Sequence, residues 1–154
     1  MVQNHNPLFA VAEVQLSYNT QIRPSDRPKV AQSRDIYEIL KAHWENSLID
    51  LQEVFKVLLL NRANRVLGIY NASSGGMSGT IADPKLIFAV ALKAGASSIV
   101  LAHNHPSGNL KPSKADIQYT NRLVSAGALL DIAVLDHLIL TSEGYFSFAD
   151  EGMI

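Results

Sequence analysis

No cysteine occurs in the 154 residues. That removes cysteine nucleophiles, thiolate metal sites and the Pro-Cys-x-x-Cys signature of zinc deaminases, and it agrees with a reducing compartment. Long apolar runs are missing too. The longest, such as 57–60 and 86–92, fall far short of the ~20 residues a membrane-spanning helix needs. Residues 1–7 lack a basic stretch followed by an apolar core, so no signal peptide is expected and the reading places the protein in the cytoplasm. Neither sign of charge is in excess. Lys and Arg number 13 against 14 Asp and Glu, for a formal net charge of −1, so no global field draws the chain to nucleic acid or to a membrane surface. Lys56, Arg62, Arg65 and Lys111 are scattered and make no basic run. There is no His-Glu-x-x-His helix, which excludes a thermolysin-like site. Ser73-Ser74-Gly75-Gly76 and Ser78-Gly79 match neither a phosphate loop nor a nucleophile elbow; they fit a tight connection between strands, and no nucleotide cofactor is indicated.

What remains is an ordinary globular composition, 47% hydrophobic and 18% charged, long enough for one buried core. The chain reads as a single domain of the α/β class: residues 1–32 are a strand and linker belonging to the same domain as 33–154. Residues 9–18 alternate as a strand does, and Arg23-Pro24-Ser25-Asp26-Arg27-Pro28 breaks the pattern. Ser33 is expected to cap a helix reaching Trp44, followed by strands at 53–61 and 65–71 joined as a hairpin through Arg62-Ala63-Asn64. Asp83-Pro84 is a strong helix start, and Gly95 ends that helix. The run 97–102 reads as a short buried strand, and a final pair of short strands is expected at 130–135 and 138–141. No internal repeat or low-complexity segment is evident.

The chemistry concentrates where the 97–102 strand ends. His103-Asn104-His105-Pro106 continues from it, and side chains two apart on a strand face the same way, so both imidazoles can aim at one point. Pro106 stops the strand and Ser107-Gly108-Asn109 turns the chain. Ser113 then opens an amphipathic helix, with Asp116 in its first turn and Ile117, Leu123 and Val124 on its apolar side. Two neutral imidazoles and a carboxylate suit Zn²⁺, and three protein ligands leave a fourth tetrahedral position open, the arrangement of catalytic sites. Ser113-x-x-Asp116 also fits a helix capping box. Asp136-His137 reads either as a pair orienting a metal ligand or as a structural hydrogen-bonded pair at a strand end. His5 near the N-terminus and His43 on the first helix have no spaced partner and read as surface residues.

At His103, His105, Pro106, Ser113 and Asp116 the chain resembles the MPN/JAMM metalloprotease superfamily, whose pattern is an upstream glutamate, His-x-His-Pro and Ser-x-x-Asp. His-Asn-His-Pro-Ser-Gly at 103–108, Pro112-Ser113 and Asp136-His137 make it similar to the RadC-type members, from about Ser33 onward. The resemblance implies an MPN fold, a mixed sheet flanked by helices in a cytidine deaminase-like layered architecture. It also implies Zn²⁺ held by His103, His105 and Asp116, Glu53 as general base, Ser113 steadying the oxyanion, and a peptide or protein substrate cleaved at a peptide or isopeptide bond. RadC-type proteins often carry an N-terminal helix-hairpin-helix region. The residues before Ser33 read as strand and linker instead, which weakens the DNA-repair association of the family. A DNA-repair accessory protein and a non-catalytic MPN interaction module are the alternatives; the latter usually lacks the metal ligands that this sequence has.

Overall fold

The computed structural model describes residue 8 and residues 10–75 and 82–154. Its elements run α1 (Ser33–Ala42), β1 (Val54–Leu60), β2 (Val66–Ser74), α2 (Pro84–Ala94), β3 (Ser98–Asn104), α3 (Lys114–Leu129), β4 (Ala133–Leu140) and β5 (Tyr145–Ser147). The strands form one mixed sheet in the order β2-β1-β3-β4-β5, with β3 and β4 parallel and the other neighbours antiparallel. Every residue of β1 and β3 is buried. These near-continuous apolar runs are what a strand covered on both faces requires.

The two faces carry separate cores. Val54, Leu58, Leu60, Val100, Ala102, Leu138 and Leu140 pack against α1, with Trp44 and Ile49 beside it. Phe55, Val57, Leu59, Ile99 and Leu101 pack against α2 and α3 through Ile87, Phe88, Ala91 and Leu123. Helices thus cover both sides of the sheet, the layered α/β arrangement the sequence led us to expect. Among the described residues no helix is long and apolar enough to cross a membrane.

Local signals account for most element ends. Asn64, at φ 55°, turns the β1–β2 hairpin, and its Asn61 neighbour accepts from the backbone N–H groups of Ala63 and Arg65. Asp83 accepts from Lys85 N at 2.9 Å to cap α2, and Gly95 ends it at φ 69°, a left-handed conformation open to glycine at no steric cost.

Four expectations need correction. Ser33 is the first residue of α1, not its cap: Gln32 is the cap residue, with Asp35 accepting from Gln32 N, and the Ser33 hydroxyl instead donates to Asp150 at 2.6 Å. Residues 10–18 are mostly exposed and form no strand; Phe9 lies outside the described residues. Ser73 and Ser74 are the last two residues of β2 and not part of a connection, and Gly76, Ser78 and Gly79 lie outside the described residues. Finally, Asp136 and His137 do not separate two strands. They lie inside β4, which is continuous.

A register shift explains how β4 absorbs both polar residues. Ile99 pairs with Val134, but Val100 pairs with Asp136, so Leu135 is an extra residue, a bulge, and is 37% exposed. The bulge resets the alternation. His137 falls opposite Leu101, on the α3 face, while Asp136 falls on the α1 face opposite Val100.

Candidate metal centre

The site assembles at the carboxyl end of β3. His103 is the penultimate residue of that strand, and His105 extends its pairing by donating its backbone N–H to Leu140 O at 2.9 Å. Asn104, between them, must face the other way. It is fully buried, accepts from Val54 N at 2.7 Å, and donates to Ile49 O and Gln52 O at 2.8 and 2.9 Å. This amide therefore fixes the entry to β1, where Glu53 sits. Because Phe55 pairs with His103 across the antiparallel β1–β3 ladder, the residue two before Phe55 is carried to the same end of the sheet as His105.

The third arm comes from α3. Ser113 is the N-cap, accepting from Asp116 N at 3.0 Å, and Asp116 Oδ2 reaches back to accept from Ser113 N at 2.7 Å. The capping box is thus real, and it does not compete with the metal reading. It holds the Asp116 carboxylate with Oδ1 at 3.3 Å from His103 Nε2 and Oδ2 at 3.4 Å from His105 Nε2. The two Nε2 atoms lie 2.9 Å apart. One ligand atom from each residue falls within 4.8 Å of the others.

The donor set fits a metal ion. His105 Nδ1 lies 2.6 Å from Asn109 O, a carbonyl that can only accept, so Nδ1 donates and a neutral ring presents a bare Nε2 to the cluster. Histidine ligands characteristically engage a partner through the ring nitrogen that does not bind metal. His103 does likewise through Nδ1, 2.8 Å from His137 Nε2. In the metal-free protein Asp116 pulls the His105 pKa up, against the effect of burial. Burial alone would raise the Asp116 carboxyl, but the adjoining His103 and His105 rings, together with the Ser113 N–H, hold it well below the usual carboxylate range.

Two recesses of about 430 Å³ each flank the cluster, and Glu53 lines both. One includes Phe55, Ala82, Asp116, Tyr119 and Arg122; the other includes His105, Asn109, Lys111 and Ser113. The Tyr119 ring is pinned by a hydrogen bond from its hydroxyl to Ala82 O and meets Phe55 edge-on. Burial pushes the Tyr119 phenol up to about 12, so it stays protonated at neutral pH. Glu53 immediately precedes β1, half-buried, and its backbone carbonyl accepts from Gly75 N at 2.9 Å.

Asp136 and His137 lie on opposite faces of the sheet and take different partners. Asp136 accepts from Ser147 Oγ at 2.6 Å and from the backbone N–H groups of His137 and Ala149 at 2.7 and 2.9 Å, staying on the α1 side of the sheet. Burial nevertheless pushes its carboxyl above the ordinary value. His137 contacts His103 through Nε2 and Thr120 Oγ1 through Nδ1, the latter at 2.6 Å. Burial, reinforced by His103, lowers its pKa well below that of a free histidine.

Other named residues fall elsewhere. His43 is exposed at the end of α1, bonded through Nδ1 to Ile39 O, and His5 lies outside the described residues. Lys56 is not a surface cation: burial in β1 lowers its pKa, and its amine donates to His43 O and sits 5.1 Å from the Trp44 ring centroid. Arg65 donates to Arg27 O. Asn104 and Thr120 were not singled out in the sequence; strand alternation alone hinted that Asn104 faces away from the metal.

Comparison with known proteins identifies the family. A family profile described as the RadC-like JAB domain matches residues 30–153, which include every residue of the cluster and its surroundings. A UPF0758 protein of Flavobacterium johnsoniae is 44% identical over 126 residues, 81% of this chain and 53% of the relative. Another, from Porphyromonas gingivalis, is 45% identical over 130 residues, 83% of this chain and 56% of the relative. The protein STH371 of Symbiobacterium thermophilum, also named UPF0758, is 35% identical over 144 residues, covering 94% and 60% of the two chains. The chain spans little more than half the length of these relatives. With a profile covering most of its residues and a sheet, helices and cluster of the expected kind, the chain belongs to the RadC-like JAB domain family.

Proposed function

We propose that the protein is a zinc-dependent hydrolase of peptide or isopeptide bonds. The observation that carries this reading is the convergence of His103 Nε2, His105 Nε2 and the Asp116 carboxylate beside the recesses lined by Glu53. Those three residues would hold the ion, and when bound zinc supplies Lewis acidity that lowers the pKa of a water from 15.7 to about 7. Glu53 takes a proton from the attacking water and delivers it to the leaving nitrogen as the amide breaks. The Ser113 hydroxyl accepts in the cap, which leaves its own proton to donate to the carbonyl oxygen as charge builds there. A peptide or protein is the substrate this chemistry calls for. Lys56, buried in β1, does not add to a basic surface for nucleic acid.

The test is metal analysis of protein purified without added zinc, then peptide and isopeptide hydrolysis with and without chelator. Close to one zinc per chain is expected, lost in Asp116→Ala. Glu53→Gln should keep the zinc while lowering hydrolysis by about 10² to 10⁴. A fully loaded Asp116→Ala would overturn the ligand set; full activity in Glu53→Gln would overturn the assignment of the base.

A further inference from the structure

The three distances that join Asp116, Thr120, His137 and His103 leave only one arrangement of protons on neutral rings. Thr120 Oγ1 has a single hydrogen and lies 2.6 Å from Asp116 O, a carbonyl that can only accept. The hydroxyl proton goes there. Oγ1 therefore meets His137 Nδ1, also at 2.6 Å, as an acceptor, and Nδ1 carries the hydrogen. With Nδ1 protonated, His137 Nε2 is bare and accepts at 2.8 Å from His103 Nδ1, which must then be the protonated nitrogen of that ring. His103 Nε2 is left as a lone pair directed at the cluster.

We propose that Thr120 and His137 are positioning residues that fix the tautomer of His103, so that Nε2 and not Nδ1 is presented to the metal. The inference rests on the metal-site reading for its purpose, though not for its geometry. The chain of bonds starts on the main chain of one ligand, Asp116, and ends on the ring of another, His103, so ring orientation and helix position are set together. Both relay side chains are buried: Thr120 is 0% exposed and His137 1%. Phe148 stacks on His137 at 4.8 Å between centroids, and Phe55 lies parallel to His103 at 5.9 Å while meeting His137 edge-on. The His137 ring borders the recess that Glu53 also lines, but both of its nitrogens are already taken up by protein partners. The Leu135 bulge is what brings this imidazole, in place of the Asp136 carboxylate, to the α3 face.

Two measurements test the proposal. Long-range ¹H–¹⁵N correlation on the metal-free parent protein above neutral pH reads the ring tautomers directly. His103 and His137 should both appear as the Nδ1–H form, and an Nε2–H form for His103 overturns the proposal whether or not the protein binds zinc. Competition with a chromophoric chelator then gives zinc affinity. Thr120→Val, of nearly equal volume, should lose about 10- to 100-fold, the effect seen when outer partners of metal ligands are removed, and Thr120→Ser should restore most of it. Unchanged affinity in a folded Thr120→Val also overturns it. Parental protein that shows the expected tautomers yet takes up no zinc would sustain the relay and overturn the metal reading alone.

Discussion

Ser113 and Asp116 share their atoms between a helix cap and the candidate metal centre, and substitution can pull the two apart. Replacing an N-cap serine by alanine costs about 1 kcal/mol, whereas glycine costs only a few tenths, because glycine leaves the freed backbone donors open to water. Neither can donate to an oxyanion. If the hydroxyl acts on the substrate, Ser113→Gly and Ser113→Ala should both lose about 10² to 10³ in turnover with zinc retained, and only the alanine variant should melt clearly earlier. Near-parental turnover of Ser113→Gly would reduce this residue to a cap. At this scale the sequence was informative where partners are close along the chain. His103, His105 and Asp116 fall within one short stretch, so their convergence follows from strand alternation and a first helical turn. Asn104 and Thr120 were not legible in the same way. Asn104 acts on the distant backbone of Ile49, Gln52 and Val54, and Thr120 acts through His137, a partner that no spacing rule connects to it.

Elements were legible where a cap or turn marks them, as at Asp83-Pro84, Gly95 and Ser113, and misread where tertiary partners decide. The alternating residues 10–18 have strand propensity, but such propensity is realised only against a neighbouring ladder, and none is supplied within the described residues. In β4 the adjacent pair Asp136-His137 looked like an interruption. Each side chain is satisfied on its own face of the sheet, so the strand continues through both. The passage from α3 to β4 yields a test of how closely this crossover is packed. A Cβ built on Gly127 would stand 2.3 Å from Ile132 O, and Ile132 N donates to Gly127 O at 2.9 Å. Alanine gains about 1 kcal/mol in helix propensity over glycine. Against that, a contact this short with backbone requires α3 and β4 to move apart, and overpacking costs typically 1–3 kcal/mol or more. Gly127→Ala should therefore lower the melting temperature by a few degrees, roughly 2–4 °C per kcal/mol for a chain of this size. A raised melting temperature would show that the crossover is slack.

At the scale of the whole molecule, buried His137 and half-buried His105 should give metal-free protein a stability optimum. His137 titrates in the unfolded chain near the ordinary 6.5 but well below it when folded, so the unfolded state binds the extra proton. Its contribution is present above pH 6.5 and is lost as pH falls, at up to about 1.4 kcal/mol per pH unit. His105 has the opposite sign. Its folded pKa is raised, so its contribution is present below 6.5 and is lost as pH rises through the folded value. Asp136, also raised, gains protons on the acid side and softens that arm. Denaturation of chelated protein between pH 5 and 8 should show greatest stability near pH 6.5. If zinc binds as proposed, it competes with protons for His105, and loaded protein should become more stable above that pH, where the chelated form declines. A chelated form whose stability climbs steadily to pH 8 would contradict the His105 assignment. The layered α/β arrangement itself was legible, because the apolar runs 57–60 of β1 and 99–102 of β3 need cover on both sides.

The proposed parts of the site are unevenly distributed along the chain: every metal ligand lies between 103 and 116, the relay adds Thr120 and β4, and the base stands alone before β1. Mutation can therefore act on them separately. On the proposed reading, a single replacement at position 53 would turn a hydrolase into a metal-binding domain with its fold, ligands and recesses otherwise intact, so descendants that keep the His-Asn-His-Pro and Ser-x-x-Asp segment need not have kept the reaction. Inheritance of catalysis in such a lineage would have to be traced at Glu53, a residue whose neighbours in sequence give no sign of the metal.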